Sequence, residues 1–231
     1  MIQSIYDEMW DKFSVAMTQN QYALDPYLLD GNNDDRRGIT ALAYLGLNNQ
    51  KVCHEISCFQ KHVRHLEPHQ YYHPADELHL TVLSIISCFD GFKLTDINIG
   101  QYIDIFNQVM AESDPITIHY RGVTASPNCI VIQGFPIDSN LERLRNNLRH
   151  RFKRSGLQSS IDARYKLVTA HSSVIRFSSP LQNRHQLLAL CQQYRDYDFG
   201  HIEFHSFELV FNNWYQNLAV TKALAQCSVP H

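Results

Sequence analysis

The 231-residue chain is long enough for one sizeable domain or two small ones. Hydrophobic residues make up 44% of it and charged residues 19%, the balance of an ordinary globular protein and not of a disordered chain. A net charge of −3 excludes a uniformly basic nucleic-acid coat protein and leaves room for a local basic patch.

In chain order, Ile2, Ile5, Met9, Trp10, Phe13 and Met17 have helical spacing and predict a helix over residues 1–20. Residues 25–37 are polar and turn-rich, so residues 1–37 read as a helical extension and loop ahead of a main body at 38–231. The apolar run 38–47 predicts a buried strand. Val52, Ile56, Phe59, Val63 and Leu66 then mark one face of a helix at 49–67, and 77–87 is a second strand. Residues 97–113 are helical by spacing, and 116–136 reads as two strands joined at "SPN". Asp138 or Ser139 is placed to cap a helix that runs to about Arg154 on Leu141, Leu144, Leu148 and Phe152, with Gly156 as its stop. A strand at 166–177, a helix at 183–197, a closing strand at 201–213 and a short strand or tail at 214–231 complete the chain. The class is α+β: two pseudo-symmetric βαβ-like lobes, with antiparallel or mixed sheets, around a central groove.

No apolar run approaches the ~18 residues of a membrane-crossing helix. The start, "MIQSIYDEMWDKF", carries acids where a secretory signal has basic residues. Cys53, Cys58, Cys88, Cys129, Cys191 and Cys227 show no CxxC pairing and predict reduced thiols in a cytoplasmic protein.

Two stretches share a pattern: "HLTVLSI" at 79–85 and "HSSVIRF" at 171–177. Each has a histidine, a hydroxyl residue two places on, and then an apolar run. With thirteen histidines, about one or two such matches arise by chance, so placement carries the inference. Side chains at i and i+2 of a strand share a face, so His79 projects with Thr81 and His171 with Ser173. Should the two strands meet, four polar groups converge on one groove. That set suits a phosphodiester. Two hydroxyls donate to the non-bridging oxygens, a neutral imidazole accepts the proton of attacking water, and an imidazolium protonates the leaving oxygen. Histidine fits both roles because its ordinary pKa near 6.5 lets both forms exist at neutral pH.

"LHLTV" and "AHSSVIR" resemble the paired H-x-[ST]-x signatures of the 2H phosphoesterase superfamily, the LigT-like RNA 2′,3′-cyclic phosphodiesterases and 2′–5′ RNA ligases. The resemblance spans about residues 38–213. It implies His79 and His171 as catalytic residues and Thr81 and Ser173 as phosphate-binding ones. Arg176, five past the second histidine, matches a basic residue often seen there in the bacterial branch. No cofactor or metal is implied, and the substrate would be an RNA end or a nucleotide, with no membrane and no obligate protein partner. Ser172 stands where the family usually has an apolar residue, and the N-terminal extension is a second departure.

Other features compete for attention. His54, Cys58, His62 and His65 form a stripe on the helix at 49–67, followed by His69 and His73; a zinc site is the less favoured reading, because the spacing matches no standard finger. Arg143, Arg145, Arg149, Arg151, Lys153 and Arg154 make the helix before Gly156 basic, which favours a solvated face over an RNA contact. Tyr44, Tyr120 and Arg121 are strand residues more often buried than base-stacking, and Tyr165 and Lys166 precede the second motif. No GxSxG elbow and no Gly-rich phosphate loop is present. The alternatives to an enzyme are a non-catalytic RNA- or nucleotide-binding module on the same scaffold and a metal-binding protein.

Overall fold

The computed structural model describes residues 2–29 and 34–229, without the side chains of Leu47 and Asn48. Met1, residues 30–33 of the expected loop and the last two residues of the expected tail therefore lie outside the described residues. The elements are α1 (Ile2–Gln19), β1 (Arg37–Tyr44), α2 (Leu45–Asn48), α3 (Gln50–Leu66), β2 (Tyr71–Tyr72), β3 (His79–Phe89), a 3-10 turn (Leu94–Asp96), α4 (Ile99–Ala111), β4 (Ile116–Ser126) and β5 (Cys129–Pro136). They continue as α5 (Asn140–Ser155), β6 (Ser172–Arg176), α6 (Arg184–Gln193), β7 (Asp198–Phe204), β8 (Ser206–Asn212) and β9 (Lys222–Ser228).

Local chemistry sets the helix ends. The Asn49 side chain accepts from the backbone N–H groups of Lys51 and Val52 and so starts α3. Gly156, at φ 68°, supplies the left-handed residue that ends α5. The apolar stripes of α3 and α5 bury as their spacing predicts, with Val52, Ile56, Phe59 and Val63 on α3 and Leu141, Leu144, Leu148 and Phe152 on α5. On α1 only Phe13 and Met17 of the expected stripe are buried, and Tyr6 and Ala16 join them while Ile2, Ile5, Met9 and Trp10 stay half-buried.

The strands form two antiparallel sheets. The first has the order β3-β1-β8-β9 and the second β2-β6-β5-β4-β7. The helices cross over. α3 follows β1 of the first sheet yet packs on β6 and β7 of the second, while α5 follows β5 of the second yet packs on β3 of the first. α1 and α6 join α3 over the second sheet, α4 joins α5 over the first, and one continuous apolar core runs through both.

Two expectations change, while the short strand expected within 214–231 is β9, paired with β8. The closing strand at 201–213 is two strands that part at His205, β7 entering the second sheet and β8 the first. The strand expected at 166–177 shortens to five residues, so that His171 lies just ahead of it. The cause is that the preceding carbonyls are taken by helix side chains: Arg149 donates to the carbonyl of Leu167 at 3.0 Å and Arg145 to that of Thr169 at 2.8 Å. Ala170 then crosses so close to Gly134 that a Cβ there would meet its carbonyl oxygen at 2.0 Å.

Candidate active site

β3 is the edge strand of the first sheet, β6 lies near the edge of the second, and the two approach each other. Both have the same irregularity. Opposite β1, Leu42 pairs with Thr81 and Ala41 with Leu83, so Val82 is an extra residue. Opposite β5, Val131 pairs with Ser173 and Ile130 with Ile175, so Val174 is extra. Each bulge sits one residue past the hydroxyl of its motif and re-aims the strand there. It also frees a carbonyl, which a buried helix side chain from the opposite half takes up. Arg145 Nε on α5 donates to Val82 at 2.8 Å, and Gln60 Nε2 on α3 donates to Val174 at 2.9 Å. The pseudo-twofold relation expected from element order is thus repeated in atomic detail.

Arg145 does more than cap a bulge. Its Nη2 donates to the carbonyls of Thr81 (2.9 Å) and Thr169 (2.8 Å), so one guanidinium ties the first motif strand to the segment before His171. It is 3% exposed. No carboxylate among the described residues pairs with it, and burial pushes its pKa down to about 10. Behind the second motif, Tyr6 of α1 works similarly. Its hydroxyl donates to the Gly134 carbonyl at 3.0 Å and accepts from the N–H groups of Gly134 (3.2 Å) and Ala170 (3.3 Å).

The imidazoles are held at one nitrogen each. His79 donates its Nδ1–H to the Glu77 carbonyl at 2.8 Å, which fixes the tautomer, and its ring meets Tyr44 edge-on at 6.4 Å. His171 Nδ1 shares a 2.9 Å hydrogen bond with Thr169 Oγ1. Nε2 of each ring has no partner among the described residues. Burial depresses His171 to about 4, helped by the charges of Arg145, His79 and Arg176. Burial also lowers His79, with Arg176 adding to the effect and the Glu77 carbonyl opposing it. The mutual influence places both rings and Arg176 in one electrostatic neighbourhood.

Two cavities meet at His171. The larger, about 650 Å³, is lined by Ser173, Arg176, Asp25, Arg36 and Tyr27 among others. The smaller, about 140 Å³, is lined by Thr81, Ser84, Ser87, Ser160 and Arg164. Tyr165, His171 and Trp214 border both. The hydroxyls of Thr81 and Ser173 make no hydrogen bond among the described residues, which leaves both available to a ligand.

Arg176 is flanked by groups the sequence did not flag. Asp25 accepts from its Nη1 at 3.4 Å, and the Tyr215 ring lies 5.3 Å from its guanidinium carbon. Asp25 is itself 4% exposed and accepts from the Tyr215 hydroxyl at 2.7 Å.

Solved structures with a similar course include a Thermus thermophilus protein, TT0787, at 16% identity and TM-score 0.59, matching 84% of this chain and 97% of that one. Escherichia coli LigT complexed with 3′-AMP matches at 14% identity and TM-score 0.52, over 85% of this chain and 99% of LigT. The same protein complexed with phosphate matches at 12% and 0.52, over the same shares. The chain has the LigT fold. No protein-family model and no curated protein sequence matches it, so the likeness is one of architecture.

Other candidates fall away from this LigT-like groove. Tyr120 is fully buried, and Arg121 sits over Phe135 at 5.4 Å. Three of the six basic residues of the helix are in ion pairs, Arg143 with Asp114, Arg149 with Asp162 and Arg151 with Glu112. Arg145 corrects the solvated-face reading: it lies on the apolar face, one turn from Leu141 and Leu148, and that position was the available signal. On the histidine stripe, His62 bonds the Tyr194 hydroxyl at 2.8 Å, and His73 is buried beside Tyr71. Among the described residues no three His, Cys, Asp or Glu side chains converge as metal ligands. Ser172, the departure from the apolar pattern, is buried, with no hydrogen bond to its hydroxyl among the described residues.

Proposed function

We propose that this LigT-like chain is a metal-independent phosphodiesterase of the 2H phosphoesterase type, opening a 2′,3′-cyclic phosphate or a related phosphodiester at an RNA or nucleotide end. The observation that carries the reading is the convergence, from two different sheets, of the His171 imidazole, two unused hydroxyls and an arginine on adjoining cavities. His79 lines neither cavity, but it stands two residues before Thr81 on β3 and its charge acts on His171. LigT crystallised with 3′-AMP supports a nucleotide as the ligand class. No helix among the described residues is long and apolar enough to cross a membrane, and the unpaired thiols suit a reducing, cytoplasmic setting.

The environments divide the labour. Burial depresses His171 to about 4, so its ring is neutral at neutral pH and its Nε2 takes the proton of the attacking water. Burial lowers His79, opposed by the Glu77 carbonyl on Nδ1; when the ring takes up a second proton, that proton sits on Nε2 and passes to the oxygen leaving phosphorus. Water oxygen bonds to phosphorus, one phosphorus–oxygen ester bond breaks, and solvent then returns each imidazole to its starting state. Thr81, Ser173 and Arg176 hold the non-bridging oxygens.

The test is turnover of a nucleoside 2′,3′-cyclic phosphate in EDTA. Activity that survives chelation, and falls by about 10²–10⁴ in both His79→Ala and His171→Ala, supports the reading. Tight RNA binding with no turnover would replace it with a binding module.

A further inference from the structure

Two adjoining cavities, of about 650 and 140 Å³, form the groove. Its waist, where the two cavities meet at His171, is bordered by Tyr165 and Trp214. Tyr165 is 69% exposed at that waist, so its ring is open to a guest in the groove. Its chain neighbours Arg164 and Lys166 are exposed as well, and Arg164 pairs with no carboxylate among the described residues. Instead its guanidinium carbon lies 4.9 Å from the Trp214 ring, with Arg36 5.4 Å from the same ring and 3.4 Å over Tyr27. Asp34 holds Arg36 in that plane through two hydrogen bonds of 2.8 and 2.9 Å. Alternating flat cations and aromatic rings along one wall of a groove are the surface on which unpaired bases stack, and the two loose cations at its lip suit a passing phosphodiester backbone.

We infer that Tyr165, Trp214 and Arg164 form a stacking subsite for a second nucleobase, so that the substrate is a single-stranded oligonucleotide end of at least two nucleotides, not a free mononucleotide. The inference rests on reading the groove as a phosphodiesterase site and deepens it. The terminal nucleotide presents its phosphate to His79 and His171, and the base preceding it lies on the Tyr165 ring.

The experiment compares adenosine 2′,3′-cyclic phosphate with the adenosine dinucleotide that ends in the same cyclic phosphate. Wild type is expected to show a KM about tenfold lower for the dinucleotide, toward the low end of what one stacked base contributes. Tyr165→Ala should shrink that advantage to within about twofold, and Tyr165→Phe, which keeps the ring, should retain it. Equal KM values for the two substrates in wild type, or an advantage that survives Tyr165→Ala, would overturn the subsite. Calorimetric binding of the corresponding 3′-monophosphates to His171→Ala protein needs no chemistry. A dinucleotide that binds about tenfold tighter there sustains the subsite even if neither cyclic phosphate is turned over, an outcome that sinks only the hydrolytic reading. Equal affinities sink the subsite.

Discussion

The guanidinium of Arg145 caps the bulged carbonyl of Val82 at 2.8 Å, across the boundary between the two halves of the chain. Because the same group also holds Thr81 and Thr169, it sets the distance between the two histidine motifs. Arg145→Met is expected to lower stability by about 3 kcal/mol, since three buried carbonyls lose a charged donor. Urea unfolding measures this, with an unchanged slope showing that the fold survives. Arg145→Lys should recover only part, because an ammonium does not reproduce the guanidinium fork. A Met variant as stable as wild type would show that the tie contributes nothing.

The pH dependence follows from the two depressed imidazoles. In the proposed division of roles, His171 serves as base above about 4, and His79 as a charged acid only below its own lowered value, itself under 6.5. The profile of kcat/KM for a cyclic phosphate should therefore be bell-shaped with its maximum on the acid side of neutrality, between those limits. A plateau from pH 7 to 9 would contradict the division of roles. Stability runs the other way. Between the unfolded value of 6.5 and about 4, the unfolded chain binds protons that the folded one refuses at His171, so stability declines as pH falls through that window. Thermal melts of wild type against His171→Gln check it, the variant showing the shallower decline.

The free hydroxyls give a third expectation. Thr81→Val keeps the shape of β3 and removes one donor, and should cost about 10²–10³ in kcat if that hydroxyl holds the developing charge. Ser173→Ala should behave alike, given the matching bulges. Losses within about twofold in both would mean that neither hydroxyl touches the phosphate.

Asp25 bears on the phosphate contact proposed for Arg176. Its carboxylate offsets the guanidinium that lines the larger cavity. Asp25→Asn keeps an acceptor for the Tyr215 hydroxyl while removing the opposing charge. Inorganic phosphate should then bind several-fold more tightly, as titration calorimetry would read, and unchanged or weaker binding would place Arg176 outside the phosphate's reach.

Much of this was legible in the residues. The helix faces of α3 and α5 followed from spacing alone, and i, i+2 spacing pointed to Thr81 and Ser173, which line the adjoining cavities. The bulges were not legible, since an extra residue in a strand leaves no mark in a pattern where both faces are apolar, as at Val82–Leu83 and Val174–Ile175. The split at His205 was hidden for a related reason, because residues on both sides of it carry the same alternating apolar pattern. Asp25, Tyr27 and Trp214 lay far from either motif in sequence, and a polar loop ahead of the main body gave no reason to bring them to the second histidine.

The interchange of α3 and α5 between the sheets has a mechanical result. Separating the walls of the slot would peel a helix from each sheet and break the Arg145 and Gln60 caps together. The slot therefore has a fixed width. The oligonucleotide end proposed above would enter by threading along it, and length and flexibility of the guest, more than any closing motion of the host, would decide what is admitted.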